Sequence, residues 1–187
     1  MPNPAGVNVL HCVGAAFITV GLVLHIVGLA TPSWTVSNIK NFSLGLWKFC
    51  PDICIDIPDY IWVSMKHLGI SDAFKSARAF AILGMFSGLC AMGLTYIYLI
   101  KLLKQNVNSN LLKKIVLCTS ILSIVFIVIC ISCFVAGFQE KLEGYFNQDL
   151  KAGYSIFLSG FGCAAITLGG ILFYVSGRTS GETYARI

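Results

Sequence analysis

The chain has 187 residues, 57% of them hydrophobic and only 11% charged, with a mean hydropathy of +0.82 and a formal net charge of +5. So little charge cannot cover the surface of a soluble domain of this length, which excludes the ordinary soluble classes. The positive balance reads as a topology signal, and no nucleic-acid partner is expected from it.

Four runs carry no Asp, Glu, Lys or Arg, and they set the organisation: spans at about 7–30, 79–100, 115–138 and 154–176. A bilayer core of about 30 Å needs about 20 helical residues, so each run is long enough to cross. The first run exceeds the roughly 7–15 apolar residues of a signal peptide and has no basic residue before it, so it is read as a retained helix. The fold class expected is an α-helical membrane protein of one domain over 1–187. It is a four-transmembrane-helix bundle with a small extracellular antiparallel sheet in the first outer loop.

Orientation follows from lysine density. With the termini inside, the inner side holds Lys101, Lys104, Lys113, Lys114, Arg178 and Arg186. The other side holds Lys40, Lys48, Lys66, Lys75, Arg78, Lys141 and Lys151. These totals do not decide, but the short 101–114 loop has four lysines and no acid, and short loops dominate the positive-inside rule. Cytosolic termini, outer loops at 31–78 and 139–153, and a cytosolic tail at 177–187 are therefore expected.

In the first span, His11 and His25 have no acidic partner in any span, which favours packing or an interhelical hydrogen bond over a proton relay. In the loop that follows, Trp34–Ile39, Gly45–Cys50, Cys54–Ile57 and Tyr60–Met65 read as short strands. Asn41–Phe42–Ser43, Pro51–Asp52 and Pro58–Asp59 supply turn chemistry. Ser71–Asp72 reads as the cap of an amphipathic helix running through Arg78 into the second span. Gly84-x-x-x-Gly88 in span two, and Gly160, Gly162, Gly169 and Gly170 in span four, indicate close helix packing. Cys130-x-x-Cys133 lies within an apolar helix, where two thiols behaving as small hydrophobes are the plainer reading.

Cys50 and Cys54 are the two cysteines outside the apolar runs, and an oxidising outer face makes a disulfide between them the expectation. A metal site would need more ligands than His67 alone supplies, so no metal and no cofactor are expected. Asn41-Phe42-Ser43 is also a glycosylation sequon in an outward loop. Trp34 suits the headgroup level, whereas Trp47, between Gly45-Leu46 and the cysteines, invites a more specific role.

In combination, Trp34, Gly45-Leu46-Trp47, Cys50 and Cys54 in the first outer loop of a four-span chain resemble the claudin superfamily. That group includes claudins, peripheral myelin and epithelial membrane proteins, and stargazin-like auxiliary subunits. Ala30-Thr31-Pro32-Ser33-Trp34 is similar to the family's end of helix one, Ala77-Arg78-Ala79 to its start of helix two, and Tyr145-Phe146-Asn147 to a second-loop motif of claudins. The chain departs from typical claudins in three places. Only Pro51-Asp52-Ile53 separates the cysteines, the cysteine pairs after spans two and four are missing, and Arg186-Ile187 stands in place of Tyr-Val. These residues leave the branch undecided.

No convergent nucleophile, acid–base pair or phosphate loop suggests an enzyme. The resemblance implies a claudin-like protein of the plasma membrane and cell–cell junction, making a paracellular barrier or ion path by association with itself or related chains in cis and trans. Phe74, Tyr145 and Phe146 are the interaction candidates. Asp56, Asp59 and Lys66 are the ion-path candidates. The alternative is an auxiliary subunit of a channel or receptor, or a membrane organiser acting laterally within the membrane lipid, to which the sequon and the shortened hairpin lean. Ile187 fits a PDZ groove, but Ala185 stands where the commonest PDZ ligands carry Ser or Thr, which weakens that partner.

Overall fold

A computed structural model of the chain describes residues 9–37, 42–51, 53–57, 66–67, 69, 71–105, 110–139 and 150–184. Four long helices account for most of it: α1 (Val9–Ala30), α2 (Ser71–Gln105), α3 (Asn110–Phe134) and α4 (Tyr154–Tyr184). Each contains a stretch long and apolar enough to cross a membrane. Large side chains such as Val20, Phe86, Val128 and Phe161 are exposed along them. On a soluble protein these would be a liability; on a membrane-spanning helix they face lipid.

The helices overrun the apolar runs where nothing in the sequence stops them. α2 starts eight residues before the second run because no Gly or Pro intervenes between Ser71 and Leu83, and Asp72 in its first turn complements the helix dipole. α1 ends where Pro32 disfavours helical backbone at Thr31, and the Thr31 hydroxyl donates back to the Val27 carbonyl at 2.9 Å. α3 begins ahead of its apolar run and passes into one π turn, Val135–Gln139. α4 continues through part of the stretch expected to be a tail.

Among the described residues, five short strands form one antiparallel sheet: β1 (Thr35–Ser37), β2 (Phe42–Leu44), β3 (Lys48–Cys50), β4 (Ile55–Asp56) and β5 (Lys151–Ala152), in the order β4-β3-β2-β1-β5. The expected strands at Trp34–Ile39, Gly45–Cys50 and Cys54–Ile57 are thus shorter than read, and the one at Tyr60–Met65 lies outside the described residues. Two strands are additional. Phe42–Ser43, read as turn chemistry, pairs with β1 through Ser37↔Phe42 and Val36↔Ser43. Lys151–Ala152, from the second loop, pairs with β1 through Thr35↔Ala152 and Val36↔Lys151.

The chain divides into two compact units. The first comprises Met1–Val23, Gly84–Val125 and Gly162–Ile187; the second comprises Leu24–Leu83 and Phe126–Phe161 and contains the sheet. Within the first unit, α1 and α4 approach at backbone distance. A Cβ on Gly21 would sit 2.5 Å from the Gly162 carbonyl oxygen and 2.8 Å from the Ile166 nitrogen, and one on Gly14 would sit 2.8 Å from the Gly169 carbonyl oxygen. Small residues at this spacing let helices pack closely where no water drives them together. The Ser123 hydroxyl ties α3 to α2 by donating to the Gly84 carbonyl at 3.0 Å, and Thr167 ties α4 to α3 through the Ser120 carbonyl at 3.1 Å. His11 is buried in this unit, stacked on Tyr98 and edge-on to Phe173. In the second unit His25 Nδ1 lies 2.7 Å from the Ser159 hydroxyl, an interhelical hydrogen bond.

Candidate functional site

The residues of the first loop that resemble a family motif converge in the second unit, each with a physical task. Trp34 is fully buried; its indole N–H donates to the Gly28 carbonyl at the end of α1 (2.9 Å), and its ring packs edge-on against Phe134 of α3 at 5.2 Å. Its backbone serves two strands, the N–H donating to Leu44 and the carbonyl accepting from Gly153. One side chain therefore pins the root of the sheet to two helices, which is a stronger role than lying at the headgroup level.

Gly45-Leu46-Trp47 makes the turn from β2 to β3, closed by the Gly45 N–H donating to the Lys48 carbonyl at 2.9 Å. A Cβ at position 45 would sit 2.6 Å from Pro32 Cα, so only glycine lets this turn lie on the chain leaving α1. Leu46 is buried, and its carbonyl accepts from Arg78 Nε at 2.6 Å. The Arg78 guanidinium carbon stands 5.0 Å from the Trp47 ring centroid and 4.6 Å from that of Phe74. A planar cation that also donates along its edge suits this place, because it stacks on one group while bonding another. Arg78 thus clamps the turn to α2.

Phe74 was expected as an exposed contact, and the structure corrects this. It is 0% exposed, 6.1 Å from the Phe134 ring and beneath Arg78, because the apolar face of early α2 turns toward α3. Phe74 belongs to the support of the loop and has no surface to offer a partner.

Cys50 and Cys54 form a disulfide with a Cα–Cα distance of 4.0 Å. The β3–β4 ladder runs Lys48↔Asp56 and Phe49↔Ile55, so the cysteines occupy the next step, where the hairpin turns. The bond holds a connection of only three residues. Beside it, Ile53 is 77% exposed and Ile55 41%, an apolar tip on an edge hairpin, while Trp47, 37% exposed, stands at the other end of β3 in the turn clamped by Arg78. On the same hairpin Asp56 stands opposite Lys48, both exposed, so this acid is not isolated. Lys66 is also exposed. Asn41, Asp59, Tyr145, Phe146 and Ile187 lie outside the described residues. Among the described residues no group of three or more His, Cys, Asp and Glu is placed to hold a metal ion.

Sequence reasoning missed the second loop's part in this site. Beyond the β1–β5 pairing, Ser155 N–H donates to the Ser33 carbonyl (3.1 Å), Ser33 N–H donates to the Ser155 hydroxyl (3.2 Å), and that hydroxyl lies 2.7 Å from Thr31 Oγ1. The only sequence signal was Ser155 directly after Gly153-Tyr154 at the start of the fourth apolar run.

Residues 7–173 match the model of a family described as PMP-22/EMP/MP20/Claudin. Among curated proteins, the chain is similar to epithelial membrane protein 1 of Homo sapiens, 27% identical over 158 residues, covering 82% of this chain and 83% of the relative. Epithelial membrane protein 1 of Pongo abelii matches to the same extent.

Proposed function

The chain belongs to the PMP-22/EMP/MP20/Claudin family, and from that premise we propose that it is a cell-contact protein of the plasma membrane. Its termini are cytosolic, and its sheet faces outward to associate with like chains in cis and trans, forming a barrier or ion path between cells at the junction. The observation that supports this reading is the apolar tip Ile53–Ile55, held at a sheet edge by the Cys50–Cys54 bond. Apolar side chains presented on a rigid hairpin lose little entropy when covered, and removing them from water favours association. With Asp56 paired across from Lys48, ion selectivity through this face is weak. In this topology Asn41 faces the glycosylating compartment and is modified. The reading is of a structural protein and assigns no catalysis.

Two populations of adhesion-poor cells expressing differently tagged chains, mixed and imaged beside mixtures with blank cells, test it. Enrichment only where two expressing cells touch supports trans self-recognition, and uniform signal overturns it.

A second reading has its own support. The curated relatives are epithelial membrane proteins rather than claudins, and three residues between the cysteines make a short hairpin. On that reading the chain acts laterally, as an auxiliary subunit of a channel or receptor, and uniform signal with a co-purifying channel or receptor selects it.

A further inference from the structure

In the first unit, the end of α2 and the start of α3 carry four lysines around a connection of four residues, Asn106–Ser109. Lys101 and Lys104 lie within four residues of the end of α2 at Gln105, and Lys113 and Lys114 within four residues of the start of α3 at Asn110. At about 1.5 Å of rise per residue, all four sit within about 6 Å of their helix ends along the axis. No Asp or Glu occurs anywhere between Ala73 and Gln139. Over this stretch the two helices carry lysines and no acidic residue in sequence.

The lysines differ in their surroundings. Lys101, Lys104 and Lys114 are exposed. Lys113 is 2% exposed, with its ammonium 5.3 Å from the centroid of the Tyr98 ring. Between them, Ile100, Leu103 and Leu111 are exposed to 52%, 64% and 68%. A surface that alternates ammonium groups with outward apolar side chains, at the end of two spans, matches a molecule with a multiply charged anionic head and acyl chains. A free phosphate would use the lysines and leave Ile100, Leu103 and Leu111 uncovered.

We propose that this corner of α2 and α3 is a binding site for a polyanionic lipid, its phosphorylated headgroup held by Lys101, Lys104 and Lys114 and its chains laid against Ile100, Leu103 and Leu111. Lysine density is enough to orient a helix pair, but orientation does not require apolar side chains exposed among the lysines. Basic surfaces of this kind beside membrane helices recruit phosphoinositide-type headgroups, each lysine contributing about a fivefold factor in affinity.

The test uses the full chain purified in neutral detergent and titrated with a short-chain phosphatidylinositol bisphosphate, with binding counted by native mass spectrometry. The same titration is run with short-chain phosphatidylcholine and with the soluble inositol trisphosphate headgroup. The proposal expects saturable binding of the bisphosphate lipid, little of the other two, and a loss of about a hundredfold in K101Q/K104Q/K114Q. The variant K101R/K104R/K114R keeps the charge and retains binding, which separates loss of the site from loss of the fold. A K48Q/K66Q/K75Q control, removing equal charge elsewhere, leaves binding unchanged. Equal binding of lipid and soluble headgroup overturns the lipid assignment. Undiminished binding in the glutamine variant, or no binding by the wild type, overturns the site and leaves the lysines to topology alone.

Discussion

Replacing Arg78 by methionine removes a half-buried charge from the second unit while nearly keeping its volume. The side chain donates to the Leu46 carbonyl at 2.6 Å and stacks between the Trp47 and Phe74 rings at 5.0 and 4.6 Å. A hydrogen bond from a charged donor contributes about 1.5–3 kcal/mol, and a partly buried cation–π contact about 0.5–1 kcal/mol. Methionine recovers some of this, because it packs on the same rings without the cost of burying a charge. A net loss of about 2–3 kcal/mol follows, which for a chain of this size lowers the unfolding midpoint by about 4–12 °C. The assay is thermal unfolding in neutral detergent, read by tryptophan fluorescence, for Arg78→Met, Arg78→Lys, Trp47→Leu and the Arg78→Met/Trp47→Leu pair. Arg78→Lys falls between wild type and Arg78→Met, since an ammonium keeps charge over the rings but lacks the planar edge. The double variant is less destabilised than the sum of its parts, because the two side chains share one contact. An Arg78→Met midpoint within about 1 °C of wild type, or strict additivity with Trp47→Leu, refutes the clamp.

Four further outcomes follow from the same structure. Gly21→Leu drives a side chain into the Gly162 carbonyl and the Ile166 backbone, and the chain fails to give a monodisperse peak in detergent size-exclusion chromatography, whereas Gly93→Ala, with open space around it, behaves as wild type. Cys54→Ser opens a loop of sequence separation 4 and costs about 2 kcal/mol in denaturant unfolding, with no loss of helical circular dichroism. Thr35→Val removes a buried hydroxyl that has no hydrogen-bond partner among the described residues, and its unfolding midpoint is unchanged or higher, by up to about 1 kcal/mol of stability. Ser159→Ala takes the partner from His25 Nδ1 and costs about 1 kcal/mol in the same measurement.

The membrane class and the number of spans were legible because charge is absent from four runs, and the bilayer enforces that absence residue by residue. The disulfide and the Trp34–Gly45-Leu46-Trp47 set were legible because few residue types can make such a turn or such a bond. The failures concern elements whose state is set by a pairing partner rather than by their own residues. Phe74 carries no mark distinguishing a buried aromatic from an exposed one; its burial is decided by Phe134, sixty residues later. β5 is two residues long and one of them is lysine, so its strand identity comes wholly from pairing with β1. Phe42–Ser43 reads as a turn from its Asn and Ser, yet β1 recruits it. One helix signal was present and missed: Gly14, Gly21 and Gly28 recur every seven residues on α1, and Gly169, Gly162 and Ser155 recur at the same interval on α4. Only the close backbone contacts show that these stripes serve one another within each unit.

The central claim is that the disulfide-held tip recognises a like chain on an adjoining cell, and Ile53→Asp tests it most directly. The side chain is 77% exposed, so the substitution disturbs no core and leaves surface expression intact. The quantity to measure is the ratio of tagged signal at borders between two expressing cells to that at borders with blank cells. Wild type is expected to give a ratio well above one, and Ile53→Asp to bring it to about one, since a carboxylate buried against an apolar partner costs several kcal/mol. A ratio of one for wild type, or an undiminished ratio for Ile53→Asp at equal surface expression, contradicts the account.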